Sequence, residues 1–280
     1  MGNNIKTVFL MSGLAILIMV LGQVLGGSGG LAIAFVIAVV ANIGVYWFSA
    51  DLVLAKSRAK VVGPNDAPEL YRLVEHLAAR ASLPTPKVAI VNDPSPNAFA
   101  TGRNPSHAVV AVTTGLLQIM SREELAGVLS HELAHVKHRD ILIGSVAAVM
   151  ASIIMFAANM AQYAAIFSRG RGRNAGGILS SILLALLAPL AASIIQAAIS
   201  RQREYLADDG GADIAGSSLG LASALEKLQN AQGRGTLAHS SPETANLFIV
   251  NPLSARSFTN LFATHPPTEE RIKRLRGMVI

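Results

Sequence analysis

No charged residue occurs between Thr7 and Ala50, and no acidic residue between Ile141 and Ser200. Runs this apolar must be buried, either in a large protein core or in lipid. Residues 7–25 and 31–50 each match the ~20 residues a helix needs to cross the hydrocarbon core of a bilayer. GGSGG at 26–30 separates them and reads as a tight turn. A second pair, 141–167 and 177–200, is diluted by Ala, Gly and Ser, and Pro189 should kink its second member. A buried hairpin of a soluble core is the competing reading for that pair. A removable signal peptide is the competing reading for 7–25, but no small-residue cleavage site is evident and another span follows at once. The expected fold is a mainly α integral membrane protein of up to four transmembrane helices carrying an α+β domain. The expected division is a transmembrane hairpin at 1–50, a polar segment at 51–140, a second hairpin at 141–200 and a second polar segment at 201–280.

Charge then orients the chain. Lys6, Lys56, Arg58, Lys60, Lys137, Arg139, Arg201 and Arg203 flank the spans on one side, and only Arg169, Arg171 and Arg173 on the other. The basic side favours the cytoplasm, so both polar segments are expected there, with the RGRGR loop as a local exception. The net charge of +6 does not point to nucleic acid. Residues 51–140 carry ten basic and nine acidic side chains and 201–280 carry nine and eight, so no dense basic stripe exists. Cysteine is absent, which excludes a disulfide framework and a thiolate site.

The polar segments carry chemistry at 131–135, HELAH. A helix puts i and i+4 on one face, so His131 and His135 can offer two imidazoles to one Zn²⁺. Glu132 sits ~100° around the helix, placed to act on a water without occupying a ligand position. Ser121 and Glu124 form a capping box, and Leu125, Val128, Leu129, Leu133 and Val136 give the helical stripe behind the site. His138 falls near the same face, but a third ligand on one straight helix gives poor tetrahedral geometry, so it reads as a surface or supporting histidine. A third His six residues beyond His135 is ruled out, because position 141 is Ile. RQREYLADD at 201–209 offers Glu204 as the third ligand and Asp208 as an acceptor for the far nitrogen of a ligand His. By itself that segment could also be a solvated turn at a membrane boundary. An even number of crossings between 141 and 200 would bring both ligand sets to one side, just above the membrane.

HELAHVKHRD, EYLAD and the late THPPTEERIKRL together resemble the HtpX-type membrane zinc metalloproteases, gluzincins related to the CAAX prenyl proteases. The resemblance covers nearly the whole chain. It implies one Zn²⁺ held by His131, His135 and Glu204, with Glu132 as catalytic base. It implies an endopeptidase that cleaves unfolded or damaged membrane proteins at the cytoplasmic face of a bacterial inner membrane, with lipid rather than nucleic acid as its surroundings. It also implies that a strand beside the metal pairs with extended substrate. SPNAFATG and HAVVAVTTG read as a strand pair, so Asn97, Ala98 and Phe99 become candidate substrate contacts, with an ordinary hairpin as the alternative. His265 becomes a candidate for stabilising the oxyanion, or else a loop histidine that caps a helix. Arg201 and Arg203 could anchor headgroups or orient the site. Two other functions compete: a non-enzymatic membrane protein with a structural zinc, and a protease of prenylated tails. Only three good ligands argue against the first, and four spans at most argue against the second.

The remaining polar chain is conventional. Helices are expected at 66–82, 217–230 and 267–276, and a strand at 86–92. Residues 229–246 read as a flexible loop over the cleft, with His239 exposed in it.

Overall fold

The computed structural model describes residues 3–168, 201–232 and 266–278. The RGRGR segment, 177–200 with Pro189, most of the loop at 229–246 with His239, and His265 lie outside the described residues.

Helix α1 runs Asn3–Lys56 and is broken at one residue, Gly27, whose φ is 58°. That left-handed conformation is open to glycine without a Cβ penalty. The chain reverses there: a Cβ on Gly22 would collide with the Ala34 side chain and the Gly30 carbonyl. The expected five-residue turn is thus a single glycine, and the helix after it extends past Ala50 to Lys56. It does so because Val53 and Leu54 still find an apolar surface to bury against. Gly27–Lys56 is the one helix among the described residues long and apolar enough to cross a membrane. Ile5–Val20 and Ile141–Ile154 are apolar but shorter.

Strands β1 (Ala59–Val62), β2 (Lys87–Val91), β3 (Ala98–Gly102) and β4 (Ala108–Thr113) form a mixed sheet in the order β1-β2-β4-β3. β2 and β4 are parallel, and the other pairs are antiparallel. Period-two alternation sends the side chains to two layers. Val88, Ala98, Ala100, Val110 and Val112 face helices α2 (Pro68–Arg80) and α4 (Arg122–Lys137). Ala89, Val91, Phe99, Val109 and Ala111 face α1 and α5 (Ile141–Ser168), packing on Leu10, Leu14, Val45, Ile143, Val146 and Met150. β4 is buried along its whole length, which explains its continuous apolar run AVVAV. The sheet is therefore the plate between the polar helices and the apolar ones. After the short helix α3 (Thr114–Ile119) the chain enters α4. The remaining described helices are α6 (Arg201–Ala215), α7 (Leu219–Gln232) and α8 (Thr268–Arg276).

The capping box that starts α4 also joins it to α7. Glu124 Oε2 accepts from the Ser121 amide at 2.7 Å, while Ser223 Oγ and Lys227 Nζ each donate to the same carboxylate at 2.6 Å. Burial pushes the Glu124 carboxyl up, but Lys227, Ser223 and the Ser121 amide outweigh it and hold it at about 2, against an ordinary 4.5. A lowered folded value stabilises the fold above the ordinary value, and that contribution is lost as pH falls from 4.5 towards 2. Glu124→Gln should cost about 1–2 kcal/mol at neutral pH and flatten the acid limb of the melting curve. Thermal unfolding of the detergent-purified protein between pH 3 and 7 checks both.

Candidate metal centre

α4 supplies His131, Glu132 and His135, and α6 crosses it to supply Glu204 and Asp208. The two helices approach closely because of Gly210 and Gly211. A Cβ on Gly211 would sit 2.9 Å from the His131 amide nitrogen, and one on Gly210 would press on Ala134 Cβ at 3.3 Å. Nothing in the motif reading points to these glycines, yet they bring the Glu204 carboxylate to the imidazoles.

His131 Nε2 and His135 Nε2 are 3.3 Å apart. Glu204 lies 3.8 Å from the first and 3.6 Å from the second. Donors about 2.0–2.1 Å from a tetrahedral zinc stand ~3.3 Å from one another, so these three fit one such ion. Among the described residues they are the set that could hold a metal, with all donor atoms within 4.8 Å. Three protein donors are one short of a closed structural site.

Each imidazole is backed by a carboxylate, and each carboxylate by an arginine. His131 Nδ1 lies 3.0 Å from Asp208 Oδ1, close but bent away from a linear hydrogen bond. Arg271 of α8 grips Asp208 with two bonds, Nε at 2.9 Å and Nη2 at 2.7 Å. His135 Nδ1 donates to Asp140 Oδ2 at 3.2 Å, and Arg203 Nη1 lies 3.5 Å from Asp140 Oδ1. Carboxylates accept only, so both rings keep the proton on Nδ1 and turn Nε2 to the metal position. The structure places Asp208 at the far nitrogen of His131, and beside the site stand Asp140 and Arg271, which residue type and spacing did not reveal. Arg203 is half-buried beside Asp140. Arg201 is exposed, and so is His138, at the end of α4.

Burial raises the Asp208 carboxyl, but Arg271 and His131 more than reverse this and hold it at about 2. Burial works against a charged His135, yet Asp140, Glu204 and Glu132 draw it up to about 9. His131, fully enclosed, is pushed down by burial. Glu132 is raised by burial to about 7, and its Oε2 accepts from the Ala100 amide at 2.8 Å. That bond holds the carboxylate against β3.

Of the candidate substrate residues, Ala98 and Phe99 lie on the same strand and Asn97 just before it. Asn97, Ala98 and Phe99 are all buried. Phe99 packs into the apolar layer under the sheet, away from the metal donors, and Ala98 into the layer that contains α4. The Asn97 carbonyl accepts from Thr113 N at 2.9 Å, so the backbone of 97, 99 and 101 faces β4. The backbone of Ala98 and Ala100 faces the other way, towards Glu132. Among the described residues no strand pairs with that edge.

Residues 64–279 match the model of peptidase family M48. The chain is 52% identical over 282 residues to a protease HtpX homolog of Syntrophobacter fumaroxidans, covering 99% of this chain and all of that one. It is 53% identical over 274 residues to one from Thermococcus kodakarensis, covering 97% and 94%. The crystal structure of S. mikatae Ste24p aligns with a TM-score of 0.48 at 16% identity, over 98% of this chain and 64% of that chain. By matched length and by the His-His-Glu cluster within it, the chain belongs to peptidase family M48, as a zinc metallopeptidase of the HtpX type.

Proposed function

We propose that this metallopeptidase is an endopeptidase of the cytoplasmic membrane of a bacterium, cleaving unfolded or damaged membrane proteins at the cytoplasmic face. One observation carries the reading. The metal donors and Glu132 lie beside the outward edge of β3, and the other face of that sheet rests on apolar helices α1 and α5. In this reading 51–140 and 201–280 form one catalytic unit, and 1–50 and 141–200 anchor it. The uncharged run that includes Gly27–Lys56 and the excess of flanking basic residues support that anchoring.

His131, His135 and Glu204 would hold the zinc, which when bound supplies a Lewis acid that polarises the carbonyl and acidifies water. An extended peptide would pair its backbone with Ala98 and Ala100, so the contacts of 97–99 are main-chain ones and tolerate many sequences. Glu132 takes a proton from the attacking water as its oxygen adds to the carbonyl carbon. It passes that proton to the leaving nitrogen as the C–N bond breaks. His265, in the segment just before α8, is the candidate partner for the oxyanion.

The test uses the full chain in liposomes of bacterial lipid, loaded with zinc, given a destabilised multi-pass membrane protein and its stable parent. Selective cleavage of the destabilised protein, in loops on the face where this chain exposes its polar segments, is expected. Cleavage of soluble unfolded proteins alone would remove the membrane-protein reading and leave the peptidase intact.

A further inference from the structure

The geometry points to Asp140 and Arg203 as a positioning pair for the metal ligand His135, one that also clasps the two ends of the apolar insertion at the metal centre. The observation begins with how α4 ends. The Asp140 amide donates to the His135 carbonyl at 2.9 Å and the Arg139 amide to the Val136 carbonyl at 3.1 Å. This is the paired pattern of a Schellman stop, which needs a left-handed residue between helix and exit. Arg139 fills that position with φ 58°, a conformation uncommon outside glycine and asparagine. The stop folds the chain back so that Asp140 lies under its own upstream histidine, with Oδ2 3.2 Å from His135 Nδ1.

The second half comes from beyond the insertion. Asp140 is the last charged residue before the apolar stretch, and Arg201 and Arg203 are the first after it. Arg203 Nη1 reaches the other Asp140 oxygen at 3.5 Å, and the next residue on α6 is the ligand Glu204, 3.6 Å from His135 Nε2. One carboxylate therefore fixes the tautomer and tilt of His135 and registers α6 so that Glu204 meets the same ring. The two relays differ: Arg271 and Asp208 are both 1% exposed, whereas Arg203 and Asp140 are 15% and 8% exposed and their contact is longer. On the His131 side the carboxylate and its arginine both follow the insertion, whereas on the His135 side the carboxylate precedes it and the arginine follows it.

This inference rests on the zinc-peptidase reading but not on any substrate, so its test reads metal binding. Full-length protein in detergent is titrated with zinc against a chelator of known affinity. It is also loaded with Co²⁺ to record the visible bands, and melted without metal. Asp140→Asn should weaken zinc binding about 10–100-fold and shift the Co²⁺ bands, with the metal-free melting point held. Asp140→Glu should recover part of the affinity. Arg203→Gln should weaken binding less, and adding it to Asp140→Asn should cost little more, because the two act through one contact. Parental affinity and bands in Asp140→Asn would overturn the proposal, as would losses that simply add. So would a metal-free melting point that falls in step with affinity in Asp140→Asn and Asp140→Glu alike.

Discussion

Glu132→Gln is expected to lower turnover by about 10³-fold while zinc remains bound one to one. Glutamine keeps an amide oxygen where Oε2 accepts from Ala100, so the α4–β3 contact survives the change. What is lost is the capacity to hold a proton between attack and departure of the amine. Burial favours the protonated form of Glu132, which must hand a proton to the amine, while His135 and a bound zinc favour the carboxylate that takes it. Zinc content by atomic emission and the melting temperature should match the parent, and kcat on one unfolded substrate should not. Parental kcat in the variant would take Glu132 out of the proton transfer. Lost zinc would mean that the residue serves the site's structure instead.

Much of this site was legible because helical spacing alone brings His131, Glu132 and His135 together. The capping box at Ser121 and Glu124 marked the helix start for the same local reason. Glu204 and Asp208 were legible as a second i, i+4 pair, four residues apart on one helix. The rest depends on tertiary placement. Arg271 reaches Asp208 across 63 positions and His131 across 140, from a helix whose charged face reads as ordinary solvent surface. Asp140 looks like a polar residue at a membrane boundary until the Schellman stop turns it back. Gly210 and Gly211 carry no motif, and their meaning lies in what a Cβ would strike. The apolar segments show the converse limit. Apolarity set their approximate extents, but the reversal at Gly27 and the continuation to Lys56 follow from packing against the sheet and from Gly22 meeting Gly30.

Arg271→Met should be the most damaging single change away from the metal donors, costing about 3–5 kcal/mol of stability. Among the described residues Arg271 is the bulkiest fully buried side chain, and its two bonds are to a carboxylate 1% exposed. Removing the guanidinium leaves Asp208 buried without its counter-charge. The same change should weaken zinc binding about 10-fold or more, because Asp208 is what faces His131 Nδ1. A pH signature follows. Asp208 is held at about 2 against an ordinary 3.8, so its contribution is present above 3.8 and lost as pH falls towards 2. Without Arg271 the largest force lowering that carboxyl is gone, so the variant should lose less stability than the parent over this window. Arg271→Lys keeps the charge but not two parallel bonds, and should fall between. The decisive comparison is the double variant with Asp208→Asn, which removes both charges. If the arginine serves to compensate Asp208, the pair should be less destabilised than the two single losses predict. Strict additivity, measured by melting the zinc-free protein, would mean that Arg271 holds α8 by packing alone.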